Sequence, residues 1–249
     1  MRVPPEESAG PAGRPAANDY DNFAEAYTAE TEDNLVNGRY ERPAILDLAG
    51  DVQGRRVLDA GCGSGPLFAS LKDRGATVTG IDSSAKMLDL ARRRLGDDAA
   101  LQLADLRNPL PFPDAAFDDV IASLVLHYLE DWSAPLAELR RVLNSGGRLI
   151  AAVDHPFLSQ LHAPSGGDYL AVRPWSFEWT FGGQQAPMTF WHRPLHAMTD
   201  AFTVAGFRIA VISEPRLPSG AHETAPDQVP GIPSGAASLG FLFFVLEAV

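Results

Sequence analysis

The chain has 249 residues, 45% of them hydrophobic, enough to bury the core of one large or two small domains, which excludes disorder throughout. A formal net charge of -12 argues against sequence-independent binding to nucleic acid or to an anionic membrane, since both need a basic field to displace counterions. The single cysteine, Cys62, permits neither an internal disulfide nor a CxxC metal or redox site, so a reducing cytoplasm and no metal are expected.

Residues 1–17 are rich in Pro, Gly and Ala without an apolar core and read as a flexible tail, neither secretory signal nor membrane anchor. Residues 18–249 read as one domain, opened by a helical lid over 18–50. From residue 56 to 153 short apolar runs alternate with helical periodicity, the pattern of a parallel sheet covered by helices on both faces. The first strand spans 57–60. A glycine loop and a helix follow, with Pro66 in the first turn, Leu67, Phe68 and Leu71 facing inward and Gly75 as terminator. The second strand is 77–81. Its helix starts near Ser83 with an apolar stripe of Met87, Leu88, Ala91 and Leu95, and Arg92, Arg93 and Arg94 form a solvated basic last turn. Strands at 100–103 and 117–123, a helix over 135–143 closed by Gly146, and a strand at 148–153 complete this half.

Beyond it, Trp175, Phe177, Trp179 and Phe181 alternate with Ser176, Glu178 and Thr180, the period of a strand with one aromatic face. A turn over 182–187 and a return run over 188–192 make a hairpin, an insertion spanning 168–194. A helix over 195–204 ending at Gly206, a sixth strand at 207–213 and an apolar seventh at 240–246 follow. The Pro, Gly and Ser rich stretch 215–238 between them reads as a long mobile loop. The fold class expected is α/β: a doubly wound, seven-stranded, mostly parallel sheet with an antiparallel last strand and an aromatic hairpin lid after strand five.

The sharpest motif is VLDAGCGSG, residues 57–65, where a strand turns into a helix. Glycine lets backbone approach a ligand closely, and open α/β sheets bind ligands at the carboxyl ends of their strands. Asp82 ends the second strand within IDSS and Asp105 follows the third within LADL, so three carboxylates with Asp59 line one sheet edge. That cluster repels phosphate. It suits a ligand offering an ammonium, two ribose hydroxyls and an exocyclic amine.

At these residues the sequence resembles the class I S-adenosylmethionine-dependent methyltransferases, in particular the small-molecule group of the ubiquinone and menaquinone biosynthesis enzymes. The resemblance is close over about 20–153 and includes LPFPDAAFDDVIASLVLHYL after Asp105. It implies S-adenosylmethionine as cofactor, with Asp59, Gly61, Cys62 and Gly63 around the methionine, Asp82 on the ribose hydroxyls, and Ser83 and Met87 bordering ribose and adenine. Asp105 and Leu106 would address the adenine edge, Ser123 would lie under the sulfonium, and Tyr20, within a YDxxA pattern with Asp21 and Ala24, would lie over the cofactor. HRPL at 192–195 resembles a pattern of the same group without assigning it a role.

A nicotinamide dinucleotide is the main competitor, since Asp82 would serve its ribose equally well. Against it, GxGxxG requires glycine where Pro66 stands, and pyrophosphate would face Asp59. Cys62 reads as a small packed residue, because no general base adjoins it in sequence. Residues 122–126 read ASLVL in place of an N/D-PP-Y/F tetrad, which weighs against nucleic-acid amino methylation.

Methyl transfer from a sulfonium is an in-line displacement that chiefly requires alignment and exclusion of water, with a base helping a protic acceptor. His155, in DHPF, is the candidate catalytic residue; Glu214 reads as structural, and so does His127, although it stands near the expected acceptor. Trp175 and Trp179, with Trp191 on the return strand, could stack a planar acceptor or simply fill the interface between hairpin and sheet. Tyr20 and Tyr27 could close the other side. The acceptor expected is a small hydrophobic, aromatic metabolite, such as a quinone precursor, phenol or indole-type natural product, methylated on O, N or C by a monomer or homodimer. A scaffold that binds the cofactor without methylating is the alternative.

Overall fold

The computed structural model describes residues 20–161, 167–181, 183–216 and 240–249. The expected tail over 1–17, and the expected loop from residue 217 onward, lie outside them.

The central sheet has seven strands: β1 (Arg56–Ala60), β2 (Thr77–Asp82), β3 (Ala100–Leu103), β4 (Phe117–Ser123), β5 (Leu143–Asp154), β8 (Phe207–Ser213) and β9 (Phe241–Ala248). Their order is β3-β2-β1-β4-β5-β9-β8. Pairings from β3 to β5 are parallel, and β9 is antiparallel to both neighbours, as the sequence pattern predicts. The central strands are buried on both faces and therefore read as unbroken apolar runs: Val120 to Ala122 and Leu149 to Val153 have no exposed surface. The sheet order reverses beside β1 and β4, so their loops open a crevice at the carboxyl edge.

Helices α1 (Ala24–Thr31), α2 (Arg42–Ala49), α3 (Pro66–Asp73), α4 (Ala85–Leu95), α5 (Ser133–Val142), α6 (Pro156–Leu161) and α7 (Leu195–Val204) surround the sheet. Helix α3 buries Leu67, Phe68 and Leu71 as its spacing predicts. Helix α4 starts at Ser84, whose hydroxyl accepts the N–H of Met87 at 3.1 Å, and buries Met87, Leu88 and Ala91. The expected basic helix end is only partly solvated: Arg93 and Arg94 reach Glu25 and Glu32 of the α1 region, and Arg94 also donates to the Ser64 carbonyl at 3.0 Å. Such exposed pairs stabilise by at most about 1 kcal/mol each, yet they fix where the N-terminal segment lies.

Two boundaries differ from expectation. Helix α5 stops at Val142 and β5 begins at once, so Gly146, with φ +72°, does not close the helix. It sits in an irregular stretch of β5, where Leu143 and Arg148 pair with Phe117 and Asp119. The hairpin is β6 (Arg173–Phe181) and β7 (Gln184–His192), a separate two-stranded sheet whose return strand begins four residues earlier than its apolar run, because backbone pairing continues through polar residues. The short helix α6, and a π-helical turn at Asn37–Glu41 before α2, carry no periodic signal and were not anticipated.

Candidate active site

The crevice is a cleft of about 580 Å³, within the range of pockets that enclose a small molecule. Its floor is the loop after β1. Gly61 has φ +81°, and a Cβ there would stand 2.7 Å from Val125 Cγ2, so only glycine lets this loop lie against the turn after β4. Gly63 has φ +54° with open space around its Cα, which faces the cleft. Four of the loop's donors are satisfied internally: Gly61 and Cys62 donate to the Ile81 carbonyl at 2.8 and 2.9 Å, Gly65 to that of Cys62 at 2.9 Å, and Gly63 to Asp82 at 2.9 Å. Helix α3 then opens with Pro66, which has no N–H. These bonds, and the missing N–H of Pro66, leave fewer donors here for an anion.

Carboxylates dominate instead. Asp59 is 1% exposed and lines the cleft, and its Oδ2 is buried without a hydrogen-bond partner among the described residues. Burial pushes its carboxyl up to about 8, with Asp82 and Glu41 adding repulsion. Asp82 accepts Gly63 N–H through Oδ2 and Ser84 N–H at 2.8 Å through Oδ1, and burial raises it too, against those bonds. Glu41, at the end of the π-helical turn, is 4% exposed. It accepts the Ser123 hydroxyl at 2.7 Å, and burial pushes it up to about 7. Asp105 is held by the guanidinium of Arg107 two residues on, and its carboxyl lies below the usual range even though partial burial opposes this.

An aromatic cover faces this floor. Tyr20 and Tyr128 join through their hydroxyls, and the Tyr20 and Tyr27 rings meet edge to face at 5.1 Å. Asp21 accepts the Ser84 hydroxyl and the Lys86 N–H, seating the leading turn on the N-terminus of α4. The hairpin joins the same stack: Phe190 lies over Tyr128 at 5.3 Å, and Trp175 over Phe190 at 5.0 Å. Burial pushes the Tyr27 hydroxyl up to about 12, so the cover is neutral at physiological pH.

The cleft brings together Tyr20, Tyr27, Asp59, Gly61, Cys62, Gly63, Asp82, Ser83, Met87, Asp105, Leu106, Ser123 and Trp191 of the expected residues. The others stand elsewhere. His127 is buried, accepts the Asp154 N–H through Nδ1 at 3.1 Å and wedges between Tyr128 and Phe190. His155 accepts the Phe157 N–H at 3.1 Å through Nδ1, so its Nε2 carries the proton and donates to Glu214 at 2.9 Å. It caps α6 and does not line the cleft. Trp175, Trp179 and Trp191 do not share a face: Trp175 pairs with Phe190 across the hairpin and Trp191 with Pro174, and cross-strand partners point the same way. Only Trp191 lines the cleft. Trp175 belongs to the stack beneath the hairpin.

Cys62 is buried against Gly80, and burial pushes its thiol up, as befits a packing residue. The HRPL segment acquires a role: His192 donates from Nε2 to the Tyr169 carbonyl at 2.8 Å and accepts from Ser159 at 2.6 Å, while Arg193 lies 4.5 Å from the Trp132 ring centroid. These contacts lock the base of the hairpin to α6 and the β4 loop. Sequence reasoning missed Glu41, Arg42, Arg107 and Tyr128 in the lining. Tyr128 was visible beside His127 on the same turn.

Residues 58–151 match the methyltransferase domain family. Over these residues the chain is similar to a methyltransferase domain. It is 40% identical over 106 residues to malonyl-[acyl-carrier protein] O-methyltransferase of Serratia marcescens, covering 43% of this chain and 41% of that one. It is also 40% identical over 117 residues to demethylmenaquinone methyltransferase of Thermus thermophilus, covering 45% and 52%. The chain thus spans about half the length of these curated relatives. A crystal structure of an S-adenosylmethionine dependent methyltransferase from Mesorhizobium loti superposes with TM-score 0.62 at 25% identity, covering 82% of this chain and 96% of that one. No described helix of the chain is long and apolar enough to cross a membrane.

Proposed function

We propose that the protein binds S-adenosylmethionine in this cleft and transfers its methyl group to a small hydrophobic, aromatic acceptor. The observation that carries the reading is the Asp59 oxygen, buried at the floor of the cleft without a partner among the described residues: such an atom calls for a donating ligand group, as an ammonium is. When bound, the cofactor supplies a methyl on a positively charged sulfur, already activated for displacement. Asp59 would face its ammonium, Asp82 would use its remaining lone pairs on the ribose hydroxyls, and Asp105, Leu106, Ser83 and Met87 would border the nucleoside. Ser123 would lie nearest the reacting centre.

The chain's own work is then alignment and exclusion of water. Residues 18–50 serve as one lid and 168–194 as the other, and Tyr20, Tyr27, Tyr128 and Trp191 hold a flat acceptor between them. Relatives named for demethylmenaquinone and for a malonyl carrier support an acceptor other than nucleic acid, in keeping with the acidic balance of the chain. The same reading keeps the protein cytoplasmic, as a monomer or homodimer. The test is a metabolite screen with labelled methyl donor, read by mass location of the methyl group. Acceptor-dependent formation of S-adenosylhomocysteine is expected; cofactor binding with no turnover on any acceptor would favour the non-methylating scaffold.

A further inference from the structure

We propose that Glu41 is the proton acceptor of this site, so that the methyl goes to a heteroatom bearing a proton, an O–H or N–H on an aromatic body. The inference rests on the cofactor reading above and adds a residue and a substrate class to it.

Asp59 and Glu41 are buried in the cleft and Asp82 is half-buried; Asp59 and Asp82 have duties toward the nucleoside. Asp59 offers an unpartnered oxygen at the floor, and Asp82 is fixed by Gly63 and Ser84 at the end of β2. Glu41 comes from the cover side of the cleft and lies between the two layers. Its Oε1 holds the Ser123 hydroxyl at 2.7 Å at the end of β4, which leaves Oε2 for a ligand. It lines the cleft together with Asp59 of the floor and Tyr27 of the cover, and its charge pushes both of their proton affinities up. The groups around it are Ser123, Asp59, Tyr27, Tyr40 and Arg42; Arg42 favours its ionised form, and burial opposes that more strongly, leaving Glu41 near 7. A carboxylate poised there is matched to proton transfer at neutral pH. The π-helical turn Asn37–Glu41 that delivers it is a rare geometry, frequent at functional sites.

The step balances. The acceptor's proton passes to Glu41 Oε2 while the heteroatom's lone pair forms the new bond to the methyl carbon. The carbon–sulfur bonding pair returns to sulfur, leaving a neutral thioether, and Glu41 then yields its proton to solvent.

The test compares wild type with Glu41→Gln, using S-adenosylhomocysteine in calorimetry and a panel of phenols, arylamines and carbon nucleophiles as acceptors. Expected are methyl groups on O or N, a kcat of wild type that rises with pH through about 7, and loss of that limb with a fall of about 100-fold or more in the variant. Affinity for S-adenosylhomocysteine should stay within about threefold. Without any acceptor, the unliganded variant should melt above wild type at pH 8.5 and level with it below pH 4.5, and the Glu41 carboxyl resonance of the loaded wild type should shift on adding phenol. Methylation at ring carbon, retention of the limb in the variant, an unresponsive Glu41 resonance, or a loss of affinity as large as the loss of rate would overturn the assignment. Wild type that fails to bind S-adenosylhomocysteine at all would instead bring down the cofactor reading.

Discussion

The floor and the cover of the cleft are built on different physics. The floor is backbone and charge: Gly61 and Gly63 at positive φ, loop donors bound to Ile81, Cys62 and Asp82, and carboxylates held in burial. The cover is ring on ring, from Tyr20 through Tyr128 and Phe190 to Trp175, locked at its base by His192 and Arg193. A floor of this kind specifies one ligand closely, since each atom has one place and one charge. A stacked cover admits any flat apolar molecule of suitable size, which is how one scaffold can keep a cofactor while acceptors change.

The comparison breaks most sharply at Gly61. Gly61→Val would strain φ +81° and drive a branched side chain into Val125, so S-adenosylhomocysteine affinity should fall at least about 100-fold, whereas Gly63→Ala meets open space and should lose about tenfold or less. Circular dichroism checks that both fold. Equal affinities in both variants and wild type would show that the loop is not the floor. The cover should respond more mildly, and differently at its two tryptophans. Trp191→Ala should raise the acceptor KM about tenfold, the value of roughly 1.4 kcal/mol, with little change in melting temperature. Trp175→Ala removes a ring stacked on Phe190 and should lower the melting temperature by about 6 °C, with a smaller effect on KM. The reverse pattern would exchange their roles.

The floor was legible in the sequence because its signals are local: a strand pattern running into VLDAGCGSG, and acids placed by the ends of two later strands. The parallel pairing of the first five strands followed from the alternation of strands and helices, whereas the order of the strands is visible only in the fold. The cover was not, because its chemistry is set by pairing between distant segments. Period two alone identified a hairpin, but the register that turns Trp191 away from Trp175 depends on where the turn lies, and the polar start of β7 hid that. His155 stands at the end of β5, where catalytic groups gather, yet its nitrogens are taken by Phe157 and Glu214. Glu41 lies in a π-helical turn that no apolar period announces, and its proximity to Ser123, 82 residues away in sequence, is visible only in the fold.

The most direct measurement is a pair of calorimetric titrations of the purified protein, one with S-adenosylmethionine and one with a nicotinamide dinucleotide, repeated on Asp59→Asn. Saturable binding of the sulfonium nucleoside, weakened by about tenfold or more in the variant, with no heat from the dinucleotide, is the expected result. Tight binding of the dinucleotide, with indifference to the sulfonium compound, would contradict the account at its base.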